Sequence, residues 1–175
     1  MNMMCFKPRN FNIKELVDKQ TYYILGDQAW KLLDIRTKMT LDKLKSKFGW
    51  IIIVNTWMFK STKYNDSQGR PFTQRGFRNI NSTVGVKDGA HYLGMGIDFD
   101  AYVKNTGKRI DPNLVRKKIL DNIDEFEYIR CLEIDINWVH FDVMGHNDHE
   151  KRSSITDNKI LLYSLKGNSK IIKRN

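Results

Sequence analysis

The chain contains four histidines, and two of them stand where residue type and spacing could do chemistry. His91 lies in Gly89-Ala90-His91-Tyr92-Leu93-Gly94-Met95-Gly96-Ile97-Asp98. Gly94 and Gly96 let the backbone turn tightly and approach closely, so a loop imidazole and the carboxylate of Asp98 can point at one spot. His140 lies in Trp138-Val139-His140-Phe141-Asp142. The alternation of a strand puts Trp138, His140 and Asp142 on one face. Two imidazoles, one carboxylate and water make up the ligand count of a catalytic zinc site with an open position. Zinc makes its bound water acidic enough to act as hydroxide near neutral pH. Spacing alone also allows the plainer reading, in which each histidine is a satisfied structural residue. The other two, His146 and His149, sit in Gly145-His146-Asn147-Asp148-His149. They could add a ligand or an oxyanion donor, but a polar loop is the simpler reading.

Those side chains need elements to hold them. The first third of the chain reads helical. A short helix is predicted over 13–18, a second is capped by Asp27 with Ala29, Trp30, Leu32 and Leu33 on one side, and a third is capped by Thr40 and ended by Gly49. Residues 50–55 (Trp-Ile-Ile-Ile-Val-Asn) read as a buried strand by their β-branched content. A long irregular section over 60–91 follows, and loops of that length are usually functional or disordered. A strand is predicted over 96–102. Asp111-Pro112 starts a helix, with Val115, Ile119, Ile123 and Phe126 on one face. Strands are predicted over 128–136, 138–143 and 159–165. Helices first and sequential strands later indicate an α+β domain with an antiparallel sheet. A single domain over 1–165 is expected, followed by a basic, solvated tail over 166–175 carrying Lys166, Lys170, Lys173 and Arg174.

Composition bounds the classes. At 175 residues the chain is one domain in size and can bury roughly 70% of its unfolded surface. A hydrophobic fraction of 41% rules out global disorder. No apolar run approaches the roughly 20 residues of a membrane span, and no secretory leader is visible. Cys5 and Cys131 lack metal or disulfide spacing and read as thiols in a reducing compartment. The net charge of +10 suits an anionic partner, whether nucleic acid, anionic lipid or wall polymer. No cluster of aromatics and arginines on one strand face supports specific nucleic-acid binding.

The motifs around His91 and His140 resemble the M15 family of zinc peptidases, which includes D-alanyl-D-alanine carboxypeptidases and phage L-alanyl-D-glutamate endolysins of hedgehog-type fold. The family pattern is Ser-x-His, two residues, Gly-x-Ala-x-Asp, and later Trp-x-His-x-Asp. Here the small residues Gly89 and Gly96 replace Ser and Ala. Arg75-Gly76-Phe77-Arg78 is similar to the family's Ser-Gly-Tyr-Arg, and residues 11–57, ending in Asn55-Thr56-Trp57, are similar to the helical lead-in of phage-borne members. The resemblance runs over roughly residues 11–144, about three quarters of the chain.

The resemblance implies that a helical lead-in packs on a small antiparallel sheet and that His91, Asp98 and His140 hold one zinc ion. It implies that Arg78, with Arg75 as the alternative, binds a substrate carboxylate through its planar fork. Trp138 is expected as a cleft or core wall beside the substrate, and Asp142 as a group that orients His140. Many members carry a Glu three residues before the second His. This chain has Asn137 there, which cannot usefully accept a proton. Arg130-Cys131-Leu132-Glu133 resembles an Arg-x-Glu element of phage-type members, which makes Glu133 the first candidate for general base and Asp135 the second.

The implied activity is zinc-dependent hydrolysis of amide bonds in peptidoglycan stem peptides, in a phage-encoded, monomeric protein that degrades the cell wall. It would stay in the host cytoplasm until lysis or travel with the virion, and its basic surface would meet anionic wall polymers. The alternative is a non-catalytic, zinc-containing wall-binding or virion structural protein.

Overall fold

The computed structural model describes residues 6–85, 89–144 and 159–173. Among these residues, four α-helices, two 3-10 segments and a six-stranded sheet make an α+β domain. Helix α1 (Ile13–Leu16) opens on a capping box, in which the Asn12 side chain accepts from the first turn and Glu15 accepts from the Asn12 N–H. Helix α2 (Lys19–Leu25) is capped by Asp18, whose carboxylate takes both the N–H and the hydroxyl of Thr21. Asp27 does not cap a helix. It sits in the first turn of a 3-10 segment, Gly26–Leu32, because Gly26 at φ 52° breaks the α-helical run. Helix α3 (Ile35–Phe48) starts earlier than its sequence suggests. Asp34 caps it, Thr40 is buried inside it, and Gly49 at φ 65° ends it.

The strands are β1 (Ile51–Ile53), β2 (Gly96–Tyr102), β3 (Cys131–Ile134), β4 (Val139–Asp142), β5 (Lys159–Ser164) and β6 (Lys170–Lys173). They lie in the order β1-β2-β4-β3-β5-β6. The expected antiparallel sheet is in fact mixed, because β5 runs parallel to β3. Strand β4 already has β2 and β3 on its two sides, so the chain leaving it can extend the sheet only beyond them. The basic end is likewise not simply a solvated tail: 170–173 pairs with β5 as the edge strand, with Lys170 and Lys173 exposed, a pattern that discourages further pairing.

Helix α4 (Pro112–Leu120) begins at Asp111-Pro112 as the sequence indicates, and Val115, Ile119, Ile123 and Phe126 are all buried. They join one apolar cluster with Leu41 and Leu44 of α3 and with Ile97, Phe99, Leu132, Val139, Phe141, Ile160 and Leu162 of the sheet. Alternation sends the intervening residues of the central strands, including Asp98, Asp100, Glu133, His140 and Asp142, to the opposite face.

Candidate metal centre

Three strands bring the site together by register. Asp98 on β2 pairs with His140 on β4, and His140 pairs with Glu133 on β3. These three therefore form one cross-strand row. His91 reaches the row from the bend at 89–94. There Met95 and Gly96 both donate to the Ala90 carbonyl, and Gly94 adopts φ 67°. A side chain at Gly94 would run into the Leu32 carbonyl at 2.0 Å, so the bend is pressed against the helical layer. Segment 75–78 flanks β2, with Asp98 N donating to Arg75 O and Arg78 N to His91 O.

Ligand atoms of His91, Asp98 and His140 lie within 4.8 Å of one another. Nδ1 of His91 bonds the Gly76 carbonyl at 2.8 Å, so Nε2 is the nitrogen with a free lone pair, and it faces Asp98 Oδ2 at 3.3 Å. His140 is turned the other way, with its short contact on the cluster side. Its Nε2 is 3.7 Å from Asp142 Oδ2 and its Nδ1 is 2.7 Å from Asp98 Oδ1. His91 thus has a carbonyl partner on the nitrogen that points away from the cluster, an arrangement that fixes the tautomer of a metal-ligating histidine, while Asp142 stands behind His140 Nε2 beyond hydrogen-bond distance. Neighbouring ligands of tetrahedral zinc lie about 3.3 Å apart, close to the His91–Asp98 separation. The donor set, two imidazoles and a carboxylate, is one that suits zinc, and its atoms lie 2.7–4.8 Å apart, close enough to share one ion.

The electrostatics agree. Burial by itself would raise the Asp98 pKa, but His91 and His140 outweigh it and hold the carboxyl well below the usual carboxylate range. Burial disfavours a charged His140, yet the nearby carboxylates of Asp142 and Asp98 push its pKa up to about 10. The cluster attracts positive charge, which a proton or a divalent ion can supply. Glu133 is half-buried beside it. Desolvation raises its pKa, and the Asp98 charge adds to the rise against the pull of His140, Arg116 and Arg78.

The other candidates fall into distinct places. Arg78 reaches the cluster, donating from Nη2 to Asp98 Oδ2 at 2.9 Å and from Nε to the Gln74 carbonyl. Arg75 does not. It stacks on Phe72 and pairs with the buried Asp100 at 2.6 Å. Asp142 is buried next to His140 and also accepts from the Met144 N–H. Trp138 is half-buried, with no partner for its indole N–H among the described residues. Asp135 lies past the end of β3 at φ 64°, exposed, and accepts from the Ser164 hydroxyl at 2.7 Å. It takes no part in the cross-strand row. Cys131 is buried on β3, while Cys5, His146, His149 and Arg174 lie outside the described residues.

Sequence reasoning passed over two arginines. Arg116 is 4% exposed and binds the β3–β4 turn, and Arg109 joins Asp100 to Asn137. Arg116 left a signal: a charge three residues before Ile119, at the edge of the apolar stripe of α4. No family model, curated protein or solved structure matches the chain. Among the described residues no helix is long and apolar enough to cross a membrane.

Proposed function

We propose that this chain is a zinc-dependent peptidase that hydrolyses amide bonds in peptidoglycan stem peptides, of the D-Ala-D-Ala carboxypeptidase or L-Ala-D-Glu endopeptidase type. The observation that carries the reading is the convergence of His91 Nε2, an Asp98 oxygen and His140 Nδ1, with His91 backed by the Gly76 carbonyl, beside a carboxylate whose pKa is raised. The motif resemblance to M15 peptidases supplies the substrate class.

Bound zinc would polarise the scissile carbonyl and acidify water. The remaining work falls to the chain itself. Glu133 accepts a proton from the attacking water and passes it to the departing amine, for which a raised pKa suits a carboxylate near neutral pH. Gly76 O holds the His91 imidazole through Nδ1, leaving Nε2 free for the metal, and Asp142 stands behind His140. Arg78, already at Asp98, offers its remaining guanidinium edge to a substrate carboxylate.

The test is release of amino groups from purified peptidoglycan. The zinc-loaded protein is expected to cleave, His91→Ala to lose both metal and cleavage, and Glu133→Gln to keep metal and lose cleavage. A zinc-loaded protein that cleaves no cell wall would contradict the reading. Asn137 favours the second reading, a zinc-containing wall-binding or virion protein without catalysis, because the acid that many M15 members place there is missing.

A further inference from the structure

We propose that Arg116 and Arg109 are positioning residues that set the geometry of the metal site by clamping the β3–β4 turn; the proposal rests on the reading of His91, Asp98 and His140 as metal ligands. The turn is residues 135–138, between Glu133 on one strand and His140 on the other. Such a turn has no ladder partners for its carbonyls, so each must find a donor elsewhere. Three successive carbonyls are taken by these two side chains. Arg116 donates from Nη2 to Ile136 O at 2.9 Å and from Nη1 to Trp138 O at 2.6 Å. Arg109 donates from Nη2 to Asn137 O and to its side-chain Oδ1.

Both arginines are themselves held. Arg116 also bonds Asn113 Oδ1 at 2.8 Å, which ties the clamp to the first turn of α4. Arg109 pairs with Asp100, and Asp100 is buried, with Arg75 on its other oxygen. The turn is therefore fixed to α4 on one side and to β2 on the other. Strand β2 is also the strand that carries Asp98. A planar guanidinium with fixed donor directions holds two carbonyls in one geometry, whereas an ammonium offers rotatable donors on a flexible stem and fixes them less.

The consequence concerns distance. His140 Nδ1 sits 2.7 Å from Asp98 Oδ1, and Glu133 is opposite His140 in register. Strand β4 is only four residues long, so its N-terminal end depends on the turn for its position. Releasing the turn lets His140 and Glu133 shift together relative to Asp98. The same contacts explain why an amide is suited to position 137: its side-chain oxygen serves Arg109 and points the residue to the clamp.

The experiment is metal binding by the full chain, read by chelator competition for zinc and by the visible absorption of the cobalt-substituted protein. The variants are Arg116→Met, Arg116→Lys and the partly exposed Arg109→Gln. Arg116→Met is expected to weaken zinc about 10-fold, the low end of what loss of a group bonded directly to a ligand costs, and to alter the cobalt spectrum at saturation. Arg116→Lys is expected to recover only part of the affinity, and Arg109→Gln to show the same spectral change more weakly. Should Arg116→Met fail to fold, Arg109→Gln carries the test. Unchanged zinc affinity and cobalt spectrum in the folded variants, even with lowered melting temperatures, would make the clamp merely structural and overturn the proposal. Absence of metal binding by the unmodified protein would overturn the ligand reading and the proposal with it, a result distinct from normal binding in the variants.

Discussion

Asp98 has one oxygen against His140 and the other against His91 and Arg78. A buried carboxylate with three cationic or potentially cationic neighbours is organised to hold a charge between them. Glycines make the approach possible. A Cβ on Gly96 would lie 2.7 Å from the Ala90 Cβ and 3.3 Å from His140 Cε1. Gly96→Ala is therefore expected to displace His140 or the bend, and zinc titration should show weaker binding with the fold retained. The two carboxylates near the β3–β4 turn are expected to separate clearly. Glu133→Gln should lower kcat by about 100-fold or more, as for loss of a general base, while leaving zinc bound. Asp135→Asn should leave turnover near that of the unmodified protein and cost about 1 kcal/mol of stability through the altered Ser164 hydrogen bond, which urea denaturation would measure. Comparable loss of turnover in both variants would remove the distinction between them.

At the scale of elements, the strand over 96–102 and the helix start at Asp111-Pro112 were legible in the sequence because local chemistry determines them. The limits of the helical lead-in were not. Asp34 and Thr40 are both good caps, and the choice of Asp34 follows from burial of Thr37, Lys38 and Thr40 against the core. The parallel β3–β5 pair and the strand at 170–173 were equally hidden, since strand partners depend on what edge remains open after the hairpin forms. The convergence of His91, Asp98 and His140 was legible from His-Asp spacing and strand alternation. The distinction between Glu133 and Asp135 was not, because alternation through 128–136 places both on the same face. The strand ends at Ile134, and Asp135 leaves it through a left-handed conformation. Gly76 is another element-scale constraint: its Cβ would fall 2.0 Å from the Leu16 carbonyl. Gly76→Ala should destabilise the protein by roughly 2 kcal/mol or more, and it should also disturb the carbonyl that orients His91. A denaturation midpoint equal to that of the unmodified protein would show that the α1 region can retreat freely.

The whole molecule carries a net charge of +10. On the proposed reading, that charge would draw the protein to an anionic wall by a screened, long-range effect. Sedimentation with purified cell walls should fall steeply as salt rises from low to physiological strength and should survive His91→Ala, which leaves the basic surface intact. Zinc should couple to folding. A ligand that binds only the native state at 100 times its Kd stabilises by about 2.7 kcal/mol, so the melting temperature should rise with added zinc and fall with chelator. No such shift is expected in Asp98→Ala.

The most direct measurement is the zinc content of the purified protein and of His91→Ala, Asp98→Ala and His140→Ala after dialysis against dilute zinc. The predicted result is one tightly held ion per chain in the unmodified protein and none retained in any of the three variants. No retained zinc in the unmodified protein, or equal zinc in the variants, would contradict the metal centre on which the proposed hydrolase rests.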